Sequence, residues 1–175
     1  KIILSVILIT ILVLSVFSIH FLVESPTLGA HVVELKIDTG DTAWMIVATA
    51  FVLLMTPGLG FFYGGMVGKK NVISTMLQSY MAMVVVTILW IVVGFGLCFG
   101  PSIGGFIGDP SSNLFFNNVS ANTAWELAPT IPMILFALFQ AKFAIITPAL
   151  ITGAFAERVR FWAYLLFMVL FILVV

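Results

Sequence analysis

Between residues 139 and 143 the chain reads Phe139-Gln140-Ala141-Lys142-Phe143. Residues four apart on a helix share a face, so Phe139 and Phe143 would present their rings together. Aromatic faces hold small cations, each contact contributing about 0.5–2 kcal/mol according to how dry the site is. The same spacing also serves plain packing, and in a chain with 17 phenylalanines the two uses are not separated by spacing alone. Gln140 and Lys142 are polar groups in apolar surroundings. They lie about thirteen and fifteen residues past Leu127, near the middle of a spanning helix at 1.5 Å per residue. At that depth such groups are costly and point to a functional or paired site. A structural ion pair, or a lysine stem reaching toward the interface, is the other account.

A second patterned stretch runs from Met55 to Val67 and contains Pro57, Leu59, Gly60, Phe62, Tyr63 and Gly64. Proline removes a backbone donor and loosens a helix, which membrane helices tolerate where neighbours satisfy the freed groups. Gly60, Gly64 and Gly68 recur every fourth residue, a smooth strip against which another helix can pack closely. Other chemistries find no residues to carry them. No nucleophile–base set and no phosphate loop occurs, so no catalytic residue is expected. Cys98 is the single cysteine, which excludes a disulfide framework and a Cys-rich metal site. Haem would want histidines within the spans, and His20 and His31 both precede residue 42. No cofactor is expected, and a net charge of zero offers nucleic acid no basic field.

The elements that position these residues follow from composition. Apolar residues make up 62% of the 175 and charged ones 8%, where a globular chain carries about 25% charged residues. A soluble fold of this size has no interior large enough for that much apolar surface. Five apolar segments are expected: 2–23, 42–67, 72–100, 127–156 and a short run, 161–175. Continuous apolar stretches of this length must be helices, because lipid leaves no partner for an unpaired backbone and barrel strands alternate and are shorter. The expected fold is therefore all-α, a polytopic transmembrane helical bundle. Segment 1–23 reads equally as a signal peptide or a retained N-terminal helix, and 24–41 as an extracytoplasmic linker. The last run is shorter than the ~20 residues a span needs, and the chain starts at Lys1, so the sequence reads as a portion of a longer protein. Lys69 and Lys70 follow the second segment and Arg158 and Arg160 the fourth, whereas the loop between the third and fourth holds Asp109 and Glu126 and no basic residue. Positive loops stay inside, which places 68–71 and 157–160 in the cytoplasm and 101–126 outside.

The strings TPGLGFFYGGMVGKKNV and FQAKFAIITPALITGAFAERVRF, in this order, resemble the ammonium transporter family (Amt, Mep and Rh proteins), and the resemblance runs from about Asp41 to the end of the chain. It implies the first four helices of an eleven-helix, inverted-repeat transporter, assembled as a homotrimer with one pore per subunit. It also implies transport of ammonium/ammonia as a channel-like carrier of the plasma or inner membrane, with a PII-type regulatory protein as a further partner. By motif, Phe139 resembles the outer-site aromatic and Phe143 the upper gate phenylalanine, with Gln140 between them at the substrate. Leu59, Phe62 and Tyr63 resemble residues near the lower pore. The family's pore histidines and the rest of its outer site would follow Val175; His20 and His31 are not that pair. Lys142 beside the gate departs from expectation, since a cation facing the pore would repel ammonium, and it is expected to point aside. An ammonium sensor with the same membrane helices, or a structural membrane-anchor subunit, are the competing functions.

Overall fold

The second apolar segment begins one turn earlier than its composition suggests. In the computed structural model, which describes residues 36–174, helix α1 spans Thr39–Met66, and its N-cap Asp38 accepts a hydrogen bond from the Asp41 N–H at 2.9 Å. The cap satisfies one of the orphan donors of the first turn and places a carboxylate at the positive end of the helix dipole. The expected 1–23 segment and most of the 24–41 linker lie outside the described residues. Pro57 sits inside α1 without ending it.

Helix α2, Val72–Leu89, runs without interruption into a π-helical turn, Trp90–Gly94, and on into the short α3, Phe95–Phe99. Helix α4 spans Met133–Phe155 and contains Pro148, and α5 spans Phe161–Val174. Among the described residues three helical stretches, Thr39–Met66, Val72–Phe99 and Met133–Phe155, are long and apolar enough to cross a membrane. The chain is thus a mostly helical, multi-pass membrane protein.

The connection from α3 to α4 departs from a plain loop. It holds two antiparallel hairpins, β1 (Ser102–Ile103) with β2 (Ile107–Gly108) and β3 (Ala124–Trp125) with β4 (Ala128–Pro132). Between them Pro110–Phe116 forms short 3₁₀ turns broken by a kink at Asn113, Leu114 and Phe115. The fourth segment therefore becomes helical at Met133 rather than at Leu127. Pro129 and Pro132 explain the delay, because each lacks an N–H and the residue before a proline is pushed toward extended backbone.

Glycine brings α1 onto α2. Gly60 and Gly64 are buried, and a Cβ on Gly60 would stand 3.3 Å from Ser79 Cβ, one on Gly64 2.9 Å from Met76 Cγ. Without a hydrophobic drive between helices in lipid, such close approach is what gives dispersion its purchase. Gly68, third in the series, instead lies beyond the helix and is exposed. Two buried clusters hold the rest. Ala82 and Val86 of α2 meet Ile145 and Ala149 of α4 and Tyr164 and Met168 of α5. Trp90 and Phe95 meet Ala137 and Ala141, with Phe99, Phe116, Trp125 and Phe136 around them. The second cluster anchors the hairpin loop to the end of the bundle and stands directly beside the residues of the candidate site.

Candidate functional site

On α4, Phe139 and Phe143 meet edge to face, with ring centroids 5.1 Å apart and planes at 72°. That arrangement sets the positive edge of one ring on the negative face of the other. Phe143 is 43% exposed and lines a cavity of about 260 Å³ with Gln140, Ala144 and Thr147 of α4, Trp90, Gly94, Cys98 and Phe99 of the second span, and Phe171 and Ile172 of α5. The lining is mainly apolar and aromatic. Gln140 offers an amide, and the Thr147 hydroxyl donates to the Phe143 carbonyl oxygen at 2.8 Å, so it closes on its own helix. A few polar groups in an apolar aromatic hollow suit a small ligand that pairs weakly and leaves easily.

Phe139 is half-buried and is not in the cavity wall; it touches the cavity through Phe143. Lys142 is likewise half-buried and outside the wall, about 160° around the helix from Gln140 and about 100° from Phe143 at 100° per residue. It lies two residues from Ala144, the midpoint of α4. Among the described residues it has no hydrogen-bond or ion-pair partner.

The three α1 candidates are dispersed. Leu59 packs against the first buried cluster. Phe62 is 61% exposed on the outside of the described bundle and leans on Tyr63 at 5.6 Å between centroids. Tyr63 reaches α4, donating its hydroxyl to the Leu150 carbonyl oxygen at 2.9 Å. None of the three lines the Phe143 cavity.

Sequence reading did not single out Trp90, Phe99 or Phe171 for the site. They come from other helices, and the four-residue step from Trp90 to Gly94 resembles ordinary helix packing. Trp90 is 5% exposed, and its indole N–H donates to the Ala137 carbonyl oxygen at 3.1 Å.

At the end carrying Lys69, Lys70, Arg158 and Arg160, a carboxylate joins two loops. Glu157 accepts from the Gly68 N–H at 2.7 Å and from the Asn71 side-chain amide at 3.0 Å. Those bonds, the Asn71 one foremost, hold its carboxyl below the usual glutamate range. At the opposite end the Ser111 hydroxyl and N–H act the same way on Asp109.

A polytopic helical bundle with an aromatic-walled hollow between its helices defines an integral membrane protein with room for a small ligand. The profile of the Ammonium Transporter Family matches residues 43–175, and the chain belongs to that family. It is 48% identical over 143 residues to an ammonium transporter of Mycobacterium tuberculosis, an alignment covering 74% of this chain and 30% of that protein. To the ammonium transporter of Aquifex aeolicus it is 42% identical over 145 residues, covering 81% and 33%. Among solved structures it is similar to Candida albicans Mep2, with a TM-score of 0.69 and 32% identity over 80% of this chain and 30% of that one. It is also similar to a sensor Amt protein, with a TM-score of 0.65 and 30% identity over 74% and 30% of the two chains. The chain spans about a third of the length of these relatives. The two relatives are named as transporters, not as enzymes.

Proposed function

We propose that the protein carries ammonium/ammonia across a plasma or inner membrane, and that these residues form one wall of its conducting path. The observation that carries the proposal is Phe143, half open to an aromatic hollow that Gln140 also lines, on the helix whose motif identifies the family. An ammonium ion would be attracted to ring faces at that mouth. Passing Phe143, it would lose hydration against apolar walls at a cost no single ring offsets. What crosses the apolar stretch would then be neutral ammonia, with the proton released at the mouth or carried across by a separate relay. Phe139 supports Phe143 from behind, and Leu59, Phe62 and Tyr63 belong to the lower part of the path, completed by helices beyond Val175.

In this reading the fold supplies the first four helices of an eleven-helix inverted repeat, and such transporters place their site between repeats. The loops with Lys69, Lys70, Arg158 and Arg160 face the cytoplasm, where a PII-type protein would dock, and the whole assembles as a homotrimer. A sensor function rests on similarity to the sensor Amt protein; the two readings differ in whether substrate crosses.

The test is methylammonium uptake by the full-length protein in cells lacking their own ammonium uptake. Saturable uptake that Phe143→Ala alters in rate or in selectivity against potassium supports transport through this site. Full-length protein that reaches the membrane, binds ammonium and moves none would favour the sensor instead.

A further inference from the structure

The indole of Trp90 is held on three sides. Its N–H donates to the Ala137 carbonyl oxygen at 3.1 Å. Phe95 and Phe99 meet it edge-on at 6.1 and 6.3 Å between centroids. A Cβ on Gly94 would come within 3.1 Å of its Cε3, so the ring lies over a backbone that glycine leaves bare. The turn that presents it is the π-helical one, in which the Phe95 N–H donates to the Trp90 carbonyl oxygen five residues back. Such single π turns inside α-helices occur frequently at functional sites.

What the bond fixes is the rotation of α4. At 100° per residue, the cavity-lining residues Gln140, Phe143, Ala144 and Thr147 fall within an arc of roughly 100°, and Ala137 lies at its edge one turn earlier. Sliding or turning α4 by one residue against Trp90 would carry that arc off the cavity and turn Phe143 away from it. Backbone packing alone is a weak lock here, because Ala137 and Ala141 are small and smooth. One buried donor reaching one defined carbonyl is a specific one.

We infer that Trp90 is a positioning residue: its indole N–H, bonded to the Ala137 carbonyl, sets which face of α4 is offered to the substrate and so determines affinity and selectivity at Phe143. The inference rests on the proposed transport site. It extends that site to a residue of the cavity wall whose indole N–H acts through α4.

The experiment uses the full-length protein and three changes. Phe143→Ala tests the site itself. Trp90→Phe keeps a ring but removes the donor. Replacing Trp90 by the indole isostere benzothienylalanine, introduced by codon suppression, removes only the N–H and keeps shape and area. The inference expects both Trp90 variants to raise KM for methylammonium about three- to tenfold, the range that corresponds to one lost hydrogen bond, with kcat changed less and membrane content similar. Gly94→Ala, which crowds the same ring, should shift KM in the same direction and add little on top of Trp90→Phe. Benzothienylalanine with unaltered KM would overturn the inference and leave Trp90 as packing, even where Trp90→Phe misfolds. If Phe143→Ala changes neither flux nor selectivity, the transport site itself fails, a result distinguishable from a silent Trp90 donor beside an active Phe143.

Discussion

The Tyr63 hydroxyl donates to the Leu150 carbonyl oxygen at 2.9 Å, and its ring occupies the space where Gly153 lacks a Cβ, 2.9 Å from the Tyr63 Cε1 and Cζ atoms. One residue of α1 is thereby keyed into one notch of α4. Tyr63→Phe removes only the hydrogen bond and should cost about 0.6 kcal/mol, the average for such bonds inside membrane proteins. Gly153→Ala forces a rigid ring or a helix backbone to move and should destabilise by about 1–3 kcal/mol, as overpacking does. Tyr63→Ala combined with Gly153→Ala should recover part of that loss. Thermal stability of the purified full-length variants, followed by size-exclusion chromatography after heating, gives the order; a double variant no better than Gly153→Ala alone would remove the lock.

The Glu157 bridge carries a pH dependence whose sign is fixed. Its carboxyl is held below its ordinary value by the Asn71 amide and the Gly68 N–H. A depressed value means the contact stabilises the folded state above the unfolded pKa, about 4.3 for glutamate, and is lost as pH falls through the lower, folded one. A spin label at position 69, in a background with Cys98 replaced by serine, should stay restrained at neutral and mildly acidic pH and loosen only in stronger acid. Glu157→Gln, still able to accept but uncharged, should loosen it at all pH values. Equal mobility in both proteins at pH 7 would show the bridge does not order the loop.

Orientation is the third expectation. Cysteines placed at Lys69 and Phe106, both exposed, lie at opposite ends of the span Val72–Phe99. With Cys98 again removed, an impermeant thiol reagent should label position 106 in intact cells and position 69 only after permeabilisation. Labelling of both from outside would contradict the placement of the positive loops.

What the sequence made legible was local. The Phe139–Phe143 pair was readable because four-residue spacing and helical geometry together leave the rings nowhere else to go. Gly60 and Gly64 were readable as a packing strip for the same reason, while Gly68 was not, since its use depends on Glu157, 89 residues away. The start of α4 was misplaced because apolar content hides the two prolines that hold 128–132 extended. Trp90 left no signal at all. Its importance lies in a bond to the backbone of another helix, and a backbone acceptor has no sequence signature. The π turn beneath it is likewise invisible to a periodicity count. Cavity walls drawn from three helices are tertiary facts, and only the α4 share of this one could be anticipated.

Lys142 provides the last prediction. It stands near the middle of α4, half-buried, outside the Phe143 cavity wall and without an ion-pair partner among the described residues. The described acids, Asp38, Asp41, Asp109, Glu126 and Glu157, all lie at helix ends or in loops. An unpaired cation at mid-membrane depth costs about 2.5–3.5 kcal/mol on insertion scales, so charge here is a burden unless something outside residues 36–174 meets it. Lys142→Met keeps length and much of the packing while removing the charge. If α4 turns Lys142 away from the path, the variant should be as stable as the parent or more so, with methylammonium uptake unchanged. Lys142→Glu, which keeps a charge but reverses it, should lower the amount of assembled protein if a carboxylate elsewhere pairs with the lysine. Measured together, membrane content and uptake separate the two roles: a Met variant that assembles normally but transports differently would place the Lys142 charge at the substrate path after all.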